Sequence, residues 1–112
     1  MNFLSAHDFY VEDDKLKFVF NYDIVVLFYS HECPYSQELR PKFHTIEQEI
    51  KGIEYGEIDV SIHPDIITLS QETTTPLAYV PLVAIFSNHN LKTICKDKSE
   101  LRSLILSTEV KF

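Results

Sequence analysis

Cys33 is the residue best placed to do chemistry. It stands in Cys33-Pro34-Tyr35-Ser36, directly after a strand-like run and at the start of a helical pattern. Proline fits the first position of a helix, where its missing N–H is no loss, so Cys33 falls at or near the N-cap. There its sulfur faces free backbone N–H groups and the positive end of the helix dipole, and both favour thiolate over thiol. The thiolate is the reactive species, which makes Cys33 a candidate catalytic nucleophile. The alternative is a small apolar cysteine packed in the core. A strand end followed by Cys-Pro is, however, an exposed kind of site.

The neighbours of Cys33 are weighed on the same terms. His31, if close and protonated, would lower the thiol pKa, and Glu32 would raise it. The simpler reading of His31 is a solvated surface histidine. Tyr35 projects from the first turn beside the thiol and either lines a substrate groove or covers the helix start. The only other cysteine, Cys95, lies on a later strand and reads as structural. His7, His44, His63 and His89 are scattered without zinc spacing and read as surface or loop residues, so no metal site is expected.

The elements that must hold Cys33 follow from the apolar pattern. Ile24-Val25-Val26-Leu27-Phe28 is a continuous apolar run, as expected of a central strand buried on both faces. A helix is predicted from Pro34 to about Lys51, with Leu39, Phe43, Ile46 and Ile50 on one face. Pro41 inside it should introduce a kink, and Gly52 should end it. Ile53 to Val60 reads as a second strand, parallel to the first through a right-handed crossover. A short helix follows from Pro64 to about Gln71. Leu82–Phe86 and Leu91–Cys95 flank the turn Ser87-Asn88-His89-Asn90 as an antiparallel hairpin. Asp97 and Glu100 resemble a capping box before a last helix that turns Leu101, Leu104 and Ile105 inward. In the first 22 residues, Phe9–Val11 and Leu16–Phe18 flank Asp13-Asp14 either as a hairpin or as a helix followed by a strand.

Bulk properties exclude several function classes. The chain has 112 residues, 45% of them hydrophobic and 24% charged, which suits a single α/β domain over residues 1–112. The net charge of -7, from 10 basic and 17 acidic residues, argues against nucleic acid or an anionic membrane surface as partner. No apolar run reaches the 18 or so residues of a membrane span. The first residues, Met1-Asn2-Phe3-Leu4-Ser5, do not read as a secretory signal. With only two cysteines, this favours a reducing, cytoplasmic setting. Abundant Phe, Tyr, Ile, Asn and Lys with few Gly and Ala hint at an AT-rich genome, a viral one among the candidates.

From about Ile24 to Leu106 the order and spacing of motifs resemble the thioredoxin and protein disulfide isomerase domain family. The resemblance is carried by Val26 to Ser36 as the active-site stretch, Pro41 as the helix proline, Glu57-Ile58-Asp59-Val60 with His63-Pro64, Val80-Pro81 as the cis-proline pair, and Asn88 to Leu91 as the last hairpin turn. It implies a thioredoxin fold, with a central mixed β-sheet flanked by helices. It also implies a substrate groove formed by Pro34, Tyr35, Val80 and Pro81, and a cis Val80–Pro81 bond close to the Cys33 sulfur. A cis bond there would leave Val80 backbone groups free for strand-like pairing with a peptide.

The departures from the family pattern matter as much. Ser36 stands where the resolving second cysteine is expected, and a hydroxyl cannot resolve a mixed disulfide. Glu32 replaces the usual tryptophan, and Leu27 replaces the buried acid, so the proton acceptor for a second thiol is expected to be missing too. The implied activity is therefore monothiol: Cys33 forms mixed disulfides with protein or peptide substrates, and an external thiol resolves them. No resident cofactor is implied; glutathione could be that thiol. Cys-Pro-Tyr-Ser also occurs in glutaredoxin-like proteins, with glutathione as resolving thiol and sometimes a shared iron–sulfur cluster. Their Gly-Gly pair is absent, however, with Thr93-Ile94 near its place. A redox-inactive peptide-binding module is the further alternative. Whether the chain is an enzyme stays open on sequence alone.

Overall fold

The computed structural model describes residues 1–95 and 97–109. Lys96 and residues 110–112 of the expected domain lie outside the described residues. The elements run β1 (Asn2–Phe3), a 3-10 turn at Ala6–Asp8, β2 (Phe9–Glu12), β3 (Lys15–Phe18), β4 (Ile24–Tyr29), α1 (Pro34–Glu49), β5 (Glu54–Asp59), α2 (Asp65–Gln71), β6 (Leu82–Ser87), β7 (Asn90–Cys95), a 3-10 turn at Lys98–Glu100 and α3 (Leu101–Glu109). The described strands form one mixed sheet in the order β1-β5-β4-β6-β7-β3-β2.

Strand β4 lies inside the sheet, parallel to β5 and antiparallel to β6, and all six of its residues are buried. Side chains on successive residues of a strand point to opposite faces, so β4 feeds two cores. Val25, Leu27 and Tyr29 join Leu39, Phe43 and Ile46 of α1 and Leu101 and Ile105 of α3. Ile24, Val26 and Phe28 join Ile66 of α2 and the aromatic residues Phe9 and Phe18 of the β2–β3 hairpin. A fully buried side chain such as Phe28 or Phe43 contributes about 1.5–3 kcal/mol.

The open choice at the N-terminus resolves as a hairpin. Phe9 pairs with Phe18 and Glu12 with Lys15, while Asp13 and Asp14 turn the chain with φ of 55° and 60°. That left-handed pair defines a tight two-residue turn, and Asp tolerates it. Asn88 and His89 make the β6–β7 turn the same way. Helix α1 continues past Pro41, whose carbonyl accepts a hydrogen bond from the Thr45 hydroxyl at 3.0 Å. Asp97 accepts from the Ser99 N–H and caps the turn leading into α3.

Candidate active site

The site is built where β4 leaves the sheet. After Tyr29 the chain turns through Ser30–Glu32, and the Cys33 N–H donates to the Ser30 carbonyl at 3.1 Å. Cys33 has extended backbone angles, φ -91° and ψ 122°, and is the N-cap of α1 with Pro34 following. Its side chain is half-buried, with the sulfur at the head of the helix facing the N–H groups of the first turn.

Ser36 lies one helical turn on and is fully buried. Its hydroxyl accepts from the Ser30 N–H at 3.2 Å. The Ser36 N–H and the Ser36 hydroxyl, with a smaller contribution from the Tyr35 N–H, favour the charged sulfur and hold the Cys33 thiol below its ordinary range against the opposing effect of desolvation. Ser36 therefore biases its neighbour Cys33 toward thiolate. Cys95, by contrast, is buried, and burial pushes its thiol up; its sulfur donates to the Asp97 carbonyl at 3.1 Å.

The Val80–Pro81 peptide bond is cis, and the Val80 carbonyl oxygen lies 3.8 Å from the Cys33 sulfur. Beside it a groove of about 380 Å³ is lined by Tyr35, Leu39, Tyr79, Val80 and Pro81 together with Glu38, Lys42 and Lys98. Pro34 is exposed at the head of α1 and does not line this groove. Tyr79, Lys42 and Lys98 are additions that no local motif marks, since they come from a loop, the helix and the turn before α3.

Several residues read singly in the sequence find partners in the fold. His31 is exposed, as expected of a surface histidine, but it is tethered: its Nδ1 lies 2.7 Å from the Asp59 carboxylate, whose residue is 5% exposed. Burial works to raise the Asp59 carboxyl, but the His31 bond and the Ser61 N–H overcome it and hold the carboxyl below the usual range. The sheet behind the site also does not lack a buried acid. Leu27 stands opposite Glu57 in the β4–β5 register, so the acid is on the neighbouring strand.

Glu57 is 2% exposed and accepts two hydrogen bonds from Arg40, at 2.7 and 3.1 Å. His44 Nε2 lies 2.9 Å from the same carboxylate, so His44 is not an unattached surface residue either. Arg40 also sits over the Tyr29 ring, 4.8 Å from its centroid. Burial would raise the Glu57 carboxyl, yet the bonds to Arg40 and His44 prevail and keep it below the usual range. It is thus a charged, occupied carboxylate rather than a free proton acceptor. The signal was present: Glu57 and Asp59 are two apart on a strand, hence on one face, and Arg40 and His44 are four apart on a helix.

No family model matches the sequence. A stretch of 64 residues is 39% identical to an uncharacterized protein, 196R, of Invertebrate iridescent virus 6, covering 57% of this chain and 37% of that protein. This chain thus spans little more than a third of its viral relative. In three dimensions it superposes on mitochondrial thioredoxin 3 of Saccharomyces cerevisiae in the oxidized form with a TM-score of 0.65, at 18% identity, over 78% of this chain and 79% of that one. The chain has the thioredoxin fold. Fasciola hepatica thioredoxin gives a TM-score of 0.63 at 19% identity, over 78% of this chain and 81% of that one. The zinc-bound form of human ERp44 gives 0.68 at 20% identity, over 80% of this chain but 28% of that longer one. Within this thioredoxin fold, no group of three or more His, Cys, Asp or Glu among the described residues is placed to hold a metal. No described helix is long and apolar enough to cross a membrane.

Proposed function

We propose that the protein is a monothiol thiol–disulfide exchange protein acting on protein or peptide substrates through Cys33. The observation that carries this reading is the sulfur itself: half-buried at a helix N-cap, biased toward thiolate by Ser36 and Tyr35, and next to the Val80 carbonyl at the edge of a groove. An inert binding module would have no use for that bias.

The Cys33 thiolate attacks one sulfur of a substrate disulfide. A Cys33–substrate disulfide forms, the original S–S bond breaks, and the second substrate sulfur leaves as a thiolate that takes a proton from solvent. Ser36 cannot attack in turn. An external thiol such as glutathione therefore attacks the Cys33 sulfur, releases the substrate as a dithiol and leaves glutathione on Cys33. A second glutathione frees Cys33 as glutathione disulfide departs. The sum is one substrate disulfide reduced and two external thiols oxidised to one disulfide. This cycle belongs in a reducing compartment such as the cytoplasm, where such thiols abound.

Insulin reduction by the parent, Ser36→Cys and Cys33→Ser chains tests the reading. The parent should turn over slowly. Ser36→Cys should gain, because a thiol three residues on, across the first helical turn, can reach the Cys33 sulfur. The gain should be partial, since Glu57 is engaged by Arg40 and His44 and does not serve as base for the new thiol. Cys33→Ser should lose all adducts and turnover. Adducts surviving in Cys33→Ser would move the chemistry to Cys95. An unreactive Cys33 combined with no gain from Ser36→Cys would leave a peptide-binding module instead.

A further inference from the structure

We propose that the groove beside Cys33 selects substrate segments carrying a large apolar or aromatic residue and a carboxylate next to the reacting cysteine. This rests on the exchange reading above and names its substrate class. The walls are two tyrosines, Tyr35 from the first turn of α1 and Tyr79 from the loop before Pro81, left 74% and 59% exposed. Exposed rings around a concave floor of Leu39, Val80 and Pro81 offer an apolar side chain a place to bury itself. A segment whose cysteine has reached the Cys33 sulfur already lies beside Val80, since the Val80 carbonyl is 3.8 Å from that sulfur. Its flanking residues therefore fall within reach of the groove.

The charge on the rim sets the second preference. The Lys98 ammonium lies 5.6 Å from the centre of the Tyr79 ring, and Lys42 lines the same groove, paired with Glu38 at 3.7 Å. Two lysines against one glutamate leave the groove positive on a chain whose net charge is -7. On the other flank of Cys33, Glu32 is exposed and Asp59 lies behind His31. An acidic residue is thus attracted to the groove side by Lys98 and meets the exposed Glu32 on the other, which favours one direction for a segment across the sulfur.

The test uses the whole chain and four short peptides, each with one cysteine activated as a mixed disulfide with thionitrobenzoate. The residues flanking the cysteine are Phe and Glu, Phe and Lys, Ala and Glu, or Ala and Lys. Attack by the Cys33 thiolate forms the Cys33–peptide disulfide and releases thionitrobenzoate, whose colour gives the rate. Each rate is divided by that of the small mixed disulfide of 2-mercaptoethanol and thionitrobenzoate, which shares the leaving group but carries no flanking residues, with the same protein. The Phe-and-Glu peptide should react about three- to tenfold faster than the Ala-and-Lys peptide, with the difference shrinking in high salt. Lys98→Glu should reverse the Glu-over-Lys preference, and Tyr79→Ala should remove the Phe-over-Ala preference. Equal rates for all four peptides, or a preference unchanged in both variants, would overturn the inference while leaving the exchange reading intact. A Cys33 that fails even with the small disulfide would overturn both.

Discussion

Replacing Arg40 with methionine isolates the buried ion pair behind the site. Methionine keeps a long aliphatic side chain but removes the guanidinium, with both its donors to Glu57 at 2.7 and 3.1 Å, and leaves only His44. Glu57 is 2% exposed, so its carboxylate would be left buried with one partner. Removing one member of a buried pair typically costs about 3–5 kcal/mol. The Arg40 side chain is 39% exposed, so water can partly replace it, and about 2–3 kcal/mol is the discounted expectation at neutral pH. The pH dependence has a definite sign. In the parent, the folded-state pKa of Glu57 is depressed, so its contribution is present above the unfolded glutamate pKa and is lost as pH falls through the folded value. Without Arg40, burial dominates and raises that pKa, so the variant is penalised most at neutral pH, where the carboxyl must be charged or take up a proton. The stability gap between parent and variant should therefore narrow as pH falls from 7 toward about 4, the unfolded glutamate range. Urea unfolding of both chains at several pH values measures it. The double variant Arg40→Met with Glu57→Leu should recover much of the loss, since an apolar pair of similar volume needs no desolvation of charge. A gap that is constant with pH, or a double variant as unstable as the sum of its parts, would refute the reasoning.

Three other outcomes are expected. Alkylation followed by mass spectrometry should modify Cys33 but spare Cys95 near neutral pH, because one thiol is lowered by its bonds to Ser36 and the other is raised by burial; Ser36→Ala should move the Cys33 alkylation midpoint upward. Gly56→Ala should destabilise by about 1–3 kcal/mol in urea unfolding, because the new methyl would sit 2.7 Å from Leu4 Cδ1 and 3.1 Å from Ile24 Cδ1 in a packed core. Phe43→Ala, which empties a fully buried apolar position on α1, should cost about 3–5 kcal/mol without changing the rate at which Cys33 is alkylated in the folded chain.

Much of this protein was legible in one dimension. The run Ile24 to Phe28 is apolar at every residue, and only an interior strand can bury both faces, so β4 had to lie inside the sheet. Leu39, Phe43, Ile46 and Ile50 repeat at helical spacing, and Pro34 marks where that helix begins, which placed Cys33 at its N-cap. Such features depend on neighbours within a turn of helix or a pleat of strand. The tertiary structure alone decided what meets across long separations. Glu57 on β5 finds Arg40 and His44 on α1, His31 finds Asp59, and Lys98 reaches the ring of Tyr79. A charged residue in a list looks solvated because water is its default partner. It becomes a buried ion pair or the rim of a groove only when parallel pairing of β4 with β5 and the crossover of α1 bring the opposite charge within 3 Å.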